Sequence, residues 1–335
     1  MKEYIPDYYK DFQCIADKCK DSCCIGWEIM IDSKSYKKYQ NVKGEFRDRL
    51  MKGIDHEGTP AFHLDDRDRC VFLNQKNLCD IYIELGEDAL CEICTQHPRF
   101  HNEYGHIRQS GLGLACEEAA RLILNDPDFK VEESIVGSES EDDEWADELM
   151  RIELYLLEIL KDQECPIEER MDKIFDLTTA YQEKLNLTGE LTASLDLKTV
   201  QPQYFMRKIN EKEYLSYWFD FYGNLDYMDD KFQTLLHKAI KEYKTWTSYC
   251  RNDQYIERLL CYFIYRHFIK SYDDDNLTDK IKFAILSTVM IEVVDQYCKE
   301  YEIPFEIQDI ARMYSKEIEY SEENMEVIFE ELLFD

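Results

Sequence analysis

Nine of the thirteen cysteines lie before residue 117, and four of those nine fall within residues 14–24. Thiolate sulfur is the ligand that structural zinc sites and iron–sulfur clusters share. The N-terminal stretch MKEYIPDYYKDF has neither the basic nor the apolar region of a secretory signal, so we expect a cytoplasmic protein with reduced thiols. In that compartment so dense a pattern favours metal binding or catalysis over disulfides. The predicted metal ligands are Cys14, Cys19, Cys23, Cys24, Cys70, Cys79, Cys91, Cys94 and Cys116.

The spacing of these cysteines restricts the kinds of site but does not choose the metal. Cys91 and Cys94 form a Cys-x-x-Cys pair that can aim both sulfurs at one ion. Neighbouring side chains diverge, so Cys23 and Cys24 serve different metals, or one is a ligand and the other a free thiol. Nine thiolates allow two sites with one spare cysteine, or one site with several inert cysteines. Both zinc and an iron–sulfur cluster remain open.

Two known cluster motifs do not match residues 14–24. The plant-type ferredoxin spacing Cys-x4-Cys-x2-Cys fails because the gap between Cys19 and Cys23 is one residue too long. The Cys-x3-Cys-x2-Cys loop of radical S-adenosylmethionine enzymes fails because Cys24 follows Cys23 directly. His97, His101 and His106 could complete a mixed site, but we favour a helix end before proline for His97 and a polar loop for the other two, because cysteines are already in surplus.

The formal net charge of −31 limits the partners that we expect. Binding to nucleic acid or to an anionic membrane depends on lysine and arginine, so neither is predicted as a partner. No apolar run reaches the roughly 18 to 20 residues that a transmembrane helix needs. A neutral or basic protein partner remains open beside the simpler interpretation that the charge serves solubility.

The helices and loops that must position these cysteines are predicted from the hydrophobic periodicity of the sequence. After residue 144 the chain repeats apolar residues at helical spacing, as in 144-EWADELMRIELYLLEILKDQ, and few segments alternate with a period of two. Before residue 130, 85-LGEDALCEICTQHP and 114-LACEEAARLIL predict short helices between irregular loops. We therefore predict a mainly α protein. Its parts are a cysteine-rich metal-binding domain (1–130), an acidic linker (131–144) and an all-helical domain (145–335).

The front of the chain resembles the flagellin lysine-N-methylase (FliB) family, which is related to the CxxCxxCC zinc- or iron-chelating proteins. The likeness covers roughly the first 124 residues closely and two later segments more weakly. The residues that carry it are Tyr8, Tyr9, Phe12, Cys14, 19-CKDSCCIGWEIMID, Tyr39, 70-CVFLNQKNLCDIYIELGEDALCEICTQHPR and 114-LACEEAARLIL, with 262-YFIYRHFIKSYDDD and 309-DIARMYSKEIEYSEEN in the back half.

This resemblance implies a cytoplasmic enzyme that transfers methyl groups from S-adenosylmethionine to lysine ε-amines of flagellin. It also implies a 4Fe-4S cluster held by the front cysteines, and all nine cysteines match the motif positions. Two departures stand out: His97 replaces the tyrosine usual in the family, and 110-SGLGLAC replaces a serine-rich SLSLSC.

Methyl transfer to lysine requires loss of the ammonium proton and an amine held in line with the sulfonium methyl, so acids, tyrosines and aromatic walls are the relevant groups. No strand followed by a glycine-rich turn and a helix indicates a nucleotide site. Helix packing and surface solvation compete with a catalytic role for each candidate. The candidate catalytic residues are Tyr82, Glu84, Arg99, Tyr265, Arg266 and His267.

Two other classes of function remain beside the methylase. One is a non-enzymatic module in which zinc or iron only knits the front domain together while the helical half docks a partner. The other is an electron-transfer protein with a reversible cluster.

Overall fold

The computed structural model describes residues 1–126, 128–137, 141–191, 195, 200–243 and 252–335. Within these ranges α-helices account for most of the chain, which confirms the mainly α prediction. The front half contains short helices separated by irregular loops. These are α1 (Ser33–Gln40), α2 (Phe46–Lys52), α3 (Asp80–Leu85), α4 (Glu92–Gln96) and α5 (Glu117–Asn125).

The back half is helical, as the periodicity predicts. In the described residues from 144 to 335 there are helices and loops and no strand. The helices are α6 (Glu144–Leu160), α7 (Ile167–Thr188), α8 (Phe205–Ile209), α9 (Lys212–Gly223), α10 (Asp230–Tyr243), α11 (Asp253–His267), α12 (Ser271–Asp274), α13 (Thr278–Glu300), α14 (Ile307–Glu317) and α15 (Glu322–Leu332). None of the helices in the described residues is long and apolar enough to cross a membrane.

Seven short strands form two sheets in the described part of the chain. The strands are β1 (Lys2–Pro6), β2 (Ile29–Met30), β3 (Ile54–Asp55), β4 (Ala61–Phe62), β5 (Arg99–Tyr104), β6 (Ile107–Leu112) and β7 (Val131–Ile135). The larger sheet has the order β5-β6-β1-β7, in which β1 is parallel to β6 and antiparallel to β7. The smaller sheet has the order β2-β4-β3 and is antiparallel.

A large hydrophobic core joins the N-terminal strand to the helices of the back half. Tyr4 and Tyr8 are buried in the same core as α5, α6 and α11, and α13 lies at its centre against α10, α11 and α14. The Tyr265 hydroxyl on α11 lies 2.8 Å from the carbonyl oxygen of Tyr4 and 3.0 Å from that of Ser110. The larger sheet is therefore fixed to the helical half, and Tyr265 serves as a packing residue there.

A second, smaller core has its buried residues between Ile29 and Cys91, and the partly buried residues packed against it lie between Cys24 and Cys94. Its buried members are mostly aromatic and aliphatic, and they include Cys70 and Cys91. Asp32 caps α1 by accepting from the backbone N–H of Ser35 at 2.9 Å, and it also accepts from the backbone N–H of Glu92 at 2.9 Å. Although burial opposes it, these backbone hydrogen bonds lower the pKa of Asp32 to about 2. One carboxylate thus holds α4 against α1.

The acidic segment at 131–144 contains regular structure at both ends. Residues 131–135 form β7 along β1, and α6 starts at Glu144 with Asp143 as its N-cap. Residues 138–140, in the middle of the predicted linker, lie outside the described residues. A charged segment becomes a strand here because pairing with β1 satisfies its backbone, whatever its side chains prefer.

We expect Gly53→Ala to destabilise the small core by about 1–3 kcal/mol through overpacking. A Cβ at this position would lie 2.3 Å from Cζ of Phe72, a core ring that is 1 % exposed. The φ of Gly53 is −86°, which any residue adopts. The substitution therefore introduces no backbone strain, and its effect on stability reports only the clash with Phe72. Denaturant unfolding should show that Gly53→Ala costs less in a Phe72→Leu background, which lacks the clashing ring atoms. Equal costs in the two backgrounds would contradict the packing described here.

Candidate functional site

Four of the predicted ligands gather where the front of the chain meets the large core; we name them the junction thiols: Cys14, Cys19, Cys23 and Cys116. Burial raises the pKa of Cys19 to about 12, and the charges of Cys116 and Cys14 act in the same direction. A hydrogen bond with the adjacent thiol and burial raise the pKa of Cys23, and Cys14 and Cys116 again contribute. Cys14 and Cys116 therefore lie near both Cys19 and Cys23.

Cys116 is placed by the start of α5. It is the N-cap residue of that helix. Burial raises the pKa of its thiol, and the nearby backbone of Ala119 and Glu118 opposes part of that rise. A helix N-terminus stabilises negative charge, so this position favours a thiolate ligand.

Ion pairs attach the loop that carries Cys19 and Cys23 to α14. Lys20 Nζ lies 2.9 Å from the carboxylate of Asp309, and Asp21 Oδ2 lies 2.5 Å from Nη1 of Arg312. The backbone N–H of Lys20 donates to Oε2 of Glu117 at 2.6 Å. The side chains of Asp309 and Arg312 are 4 % and 6 % exposed, so their charges need these partners.

The other five predicted ligands lie in or against the small core; we name them the small-core thiols: Cys24, Cys70, Cys79, Cys91 and Cys94. The Sγ atoms of Cys91 and Cys94 are 3.4 Å apart, and the backbone N–H of Cys70 donates to the carbonyl oxygen of Cys24 at 2.9 Å. A bridge from Leu73 places Cys79 directly before α3. These contacts place the five thiols of residues 24–94 in and around the same core.

The adjacent thiols of Cys23 and Cys24 have pKa values that are shifted in opposite directions. The hydrogen bond from Cys23 lowers the pKa of Cys24 to about 7, and the guanidinium of Arg69 adds to that effect although burial opposes it. In the second pair, the hydrogen bond with Cys94 lowers the pKa of Cys91, although burial opposes it. Both shifts favour the thiolate, which is the form that binds metals.

The side chains of the two groups of thiols do not converge as closely as the ligands of a single metal ion do. Among the described residues, no three or more His, Cys, Asp or Glu side chains converge closely enough to hold one metal ion. A cluster of several iron atoms is wider than one ion, so its ligand sulfurs stand farther apart. Metal binding by the nine cysteines stays a prediction, and the described arrangement determines which of them are neighbours.

Three half-buried rings pack together beside the junction thiols; we name Trp27, His97 and Tyr320 the aromatic triad. The ring centroids of Trp27 lie 5.7 Å from His97 and 6.1 Å from Tyr320, and those of His97 and Tyr320 are 6.1 Å apart. Trp27 Nε1 donates to the carbonyl oxygen of Cys23 at 2.6 Å. Burial raises the pKa of Tyr320, and Cys116 contributes to the rise. The triad therefore lies near Cys23 through Trp27 and near Cys116 through Tyr320.

The three histidines that follow Cys94 in the sequence, His97, His101 and His106, have different surroundings in the structure. Burial, helped by the charge of Arg266, lowers the pKa of His97 to about 4, so its ring stays neutral. Its Nε2 atom is buried and has no hydrogen-bond partner among the described residues. His101 instead lies 2.8 Å from Oγ of Ser110, and His106 lies 3.1 Å from Asp147. Only His97 of these three belongs to the triad.

A buried charge cluster lies behind Tyr320. Arg266 Nε lies 3.1 Å from Glu319 Oε1, and His267 Nε2 lies 2.7 Å from the same oxygen. Although burial opposes it, Arg266 lowers the pKa of Glu319 to about 2. Burial lowers the pKa of His267 to about 3, so the neutral imidazole donates to the carboxylate. A Cβ on Gly113 would lie 2.3 Å from the Tyr320 hydroxyl, so only glycine fits there.

The structure separates the predicted catalytic residues into different environments. Tyr82 is 50 % exposed on α3 and Glu84 is exposed on the same helix, while the Arg99 guanidinium lies 5.1 Å from the Phe12 ring. Arg266 and His267 meet at Glu319, whereas Tyr265 holds the sheet.

Sequence reasoning missed Trp27, Glu319 and Tyr320 as site residues. The signal that could have found them is their position inside the quoted segments 19-CKDSCCIGWEIMID and 309-DIARMYSKEIEYSEEN. The structure brings the two segments together, although almost 300 residues separate them.

Comparison with known proteins identifies a matching family model and three relatives of this chain. The model of the FliB lysine N-methylase C-terminal domain matches residues 112–335, more than half of the chain. Lysine-N-methylases of Salmonella choleraesuis (strain SC-B67) and Salmonella typhimurium (strain LT2) are each 32 % identical to it over 131 residues, 37 % of this chain and 32 % of theirs. The flagellar biosynthetic protein FliU of Salmonella muenchen is 32 % identical over 131 residues, 77 % of its length.

The chain therefore aligns with about a third of the length of the two lysine-N-methylases. No solved structure matches it.

We expect Asp21→Asn to release the loop of the junction thiols. The substitution leaves the buried guanidinium of Arg312 without its carboxylate, and a loss of about 1.4 kcal/mol of anchoring raises the open population about tenfold. Trypsin should then cleave after Lys18 or Lys20 about ten times faster. Asp48→Asn removes the exposed pair with Arg47 and is the control. Equal cleavage rates in all three proteins would show that the ion pair does not hold the loop.

We expect His267 to make the protein sensitive to acid. Its pKa is about 3 in the folded protein and near 6.5 in the unfolded chain, so the unfolded state binds the proton first as pH falls. The folding free energy should drop by up to about 1.4 kcal/mol per pH unit from pH 6.5 downward, and stay level above it. His267→Asn should flatten this slope in urea unfolding, whereas His56→Asn, at an exposed position, should leave it unchanged. Parallel slopes for all three would rule the assignment out.

Proposed function

Because this chain belongs to the FliB lysine N-methylase family, we propose that it is a protein lysine N-methylase that acts on flagellin. The observation that carries the proposal is the family match over residues 112–335, which includes Cys116, Arg266 and the acid-aromatic pair Glu319 and Tyr320. The relatives named lysine-N-methylase and the flagellar name of FliU support the type of reaction and the kind of substrate.

The proposed methyl donor is S-adenosylmethionine. The neutral lysine ε-amine attacks the methyl carbon, so that a C–N bond forms while the C–S bond breaks and its electron pair returns to sulfur. S-adenosylhomocysteine leaves, and the lysine loses one proton to solvent or to a base. The protein must align nitrogen, carbon and sulfur and exclude water from the amine, which are positioning tasks.

The aromatic triad is the surface that we assign to this positioning. A sulfonium or an ammonium is attracted to the faces of aromatic rings, most strongly to tryptophan. Trp27 and Tyr320 offer such rings while remaining half-buried, and His97 adds a neutral ring whose Nε2 is unpartnered among the described atoms. That nitrogen can accept a hydrogen bond from the lysine amine, which directs the nitrogen lone pair toward the methyl group.

The junction thiols are the residues that we propose for an iron–sulfur cluster, with zinc as the alternative metal. Their chemistry fits either, because four cysteines are the usual ligand set of a 4Fe-4S cluster and also of a structural zinc site. When bound, such a cluster supplies an electron-transfer or Lewis-acid centre. The chain contributes the helix N-terminus at Cys116 and the anchored loop of Cys19 and Cys23.

The charge of the chain suits a lysine-bearing substrate. A net charge of −31 attracts cationic segments and speeds their encounter at low salt. The substrate lysine must therefore approach before it loses its proton.

The direct test is methyl transfer by the full chain, purified without oxygen and with its metal retained. The protein is incubated with flagellin and S-adenosylmethionine labelled in the methyl group, and labelled lysines are located by peptide mass spectrometry. Flagellin with chemically blocked lysines is the control. A fully metallated protein that labels no lysine would overturn the proposal and favour the non-enzymatic interaction module.

We expect Trp27→Ala to lower methyl transfer by about 100-fold, because misplaced reactants lose that order of rate. Trp27→Phe keeps a ring at the same position and should retain more than a tenth of the activity. Tyr155→Phe, at an exposed position on α6, should behave as the unchanged protein. Metal content is measured for each variant, and an inactive Trp27→Ala that has also lost its metal would not support a positioning role.

A further inference from the structure

We propose that a groove between α9 and α15 docks a positively charged segment of the protein substrate and holds one apolar side chain of that segment between the two helices. The identification of the partner as the substrate rests on the proposed function. The shape and charge of the groove do not depend on it. We name it the docking groove, and the residues that line it are Tyr217, Asp220, Phe221, Asn224, Leu225 and Val327.

The docking groove is open to solvent and mostly apolar, and its volume is about 340 Å³. Tyr217 and Phe221 are four residues apart, so they lie on one face of α9. Tyr217 is 50 % exposed, and Val327 on α15 is 39 % exposed. An open groove of this kind accepts a side chain of a protein segment, whereas small molecules are bound in pockets that enclose most of their surface.

The aromatic walls of the docking groove are held in place by the core beneath them. Trp218 is fully buried, and its ring centroid lies 5.7 Å from that of Tyr217 and 5.4 Å from that of Phe221. The Tyr217 hydroxyl also donates to Oε1 of Glu331 on α15. Rings that are already fixed lose little conformational freedom when a partner binds, so a larger share of the contact energy appears as affinity.

Both walls of the docking groove carry negative charge. Residues 213–230 contain five acidic residues and no lysine or arginine, and α15 contains five glutamates and no lysine or arginine. Asp220 is exposed in the groove itself. The lysines near the end of α15 are Lys208 and Lys282, and both pair with Asp335, at 2.9 Å and 3.9 Å. The acidic residues of the two walls therefore favour a cationic partner.

The combination of rings and carboxylates selects the kind of occupant. Lysine and arginine side chains are attracted to aromatic faces such as that of Tyr217, and they form charge-assisted hydrogen bonds with carboxylates such as that of Asp220. Val327 and Leu225 offer an apolar contact between these groups. A second copy of the chain would bring the same acidic walls together, so like charges oppose self-association at this groove.

The docking groove lies along the helix that begins beside the aromatic triad. Tyr320 is followed by Ser321, the N-cap of α15, and Val327 lies six residues further along. The helical rise places Val327 about 10 Å from that cap. A few residues of extended chain span this distance, so docking here would raise the local concentration of substrate lysines near the triad.

The experiment measures binding of fluorescently labelled flagellin monomer to the full chain. Asp220→Lys combined with Val327→Lys reverses the charge of the groove and removes its apolar contact, so the Kd should rise about tenfold. Tyr155→Lys combined with Glu183→Lys is the control, because it changes two exposed residues of the same kinds outside the groove and alters the net charge equally. Equal Kd values for the two double variants would overturn the docking site.

A second measurement uses the unchanged protein, so it does not depend on how the variants fold. Amide hydrogen exchange is followed by mass spectrometry with and without flagellin. Residues 217–225 and 323–332 should exchange more slowly when flagellin is present. Protection confined to other segments would contradict docking in the groove. A dimer of the free protein that the groove variant dissolves would instead identify a second copy as the occupant, and that result would also overturn the proposal.

Methyl transfer distinguishes the docking site from the proposed function. The groove variant should raise KM for flagellin about tenfold and leave kcat near that of the control, because docking is lost while the positioning groups remain. Transfer with the same KM in both double variants would count against the docking groove alone. Binding of flagellin in the groove without any transfer would count against the proposed function alone.

Discussion

The attachment of residues 19–23 to α14 is the interaction on which the candidate site depends. Lys20 pairs with Asp309 and Asp21 with Arg312, so a loop near the start of the chain is fixed to a helix near its end. Because Asp309 and Arg312 are almost fully buried, leaving either unpaired would be costly. This attachment puts Cys19 and Cys23 beside Cys116. The junction thiols are consequently a property of the whole chain, although most of them lie outside the part that the family match covers.

The larger sheet reinforces the same connection. Its first strand begins at Lys2, pairs with β6 and β7, and is joined to α11 through Tyr265. The residues after β6 then lead into Gly113, where the absence of a side chain admits Arg266 and Tyr320. The aromatic triad therefore depends on three segments that are distant in sequence, around Trp27, His97 and Tyr320. A buried ion pair between Arg266 and Glu319 fixes the segment that carries Tyr320.

Local signals in the sequence predict the helices well. The long amphipathic segments of the sequence correspond to α6, α7 and α13 in the structure. The helix predicted in 85-LGEDALCEICTQHP does end before Pro98, but it is shorter than the sequence suggests. It is shorter because Gly86 has a φ of +85° and interrupts it, so a 3-10 turn and α4 replace one continuous helix. Side-chain divergence predicts that the thiols of Cys23 and Cys24 separate, whereas in the structure the two thiols lie close enough to shift each other's pKa. The grouping of the nine cysteines and the partnership of Glu319 with Arg266 depend on tertiary contacts, which spacing along the chain does not encode.

The acidic strand β7 has a consequence for how the molecule behaves among its own copies. It is an edge of the larger sheet, and an edge strand presents unpaired backbone groups that can recruit another chain. Ile135 is 74 % exposed there, but Glu132 and Glu133 are exposed beside it, in a molecule whose net charge is already strongly negative. A second copy approaching this edge would bring like charges together. The segment that breaks the helical pattern of the sequence thus protects the open sheet from aggregation.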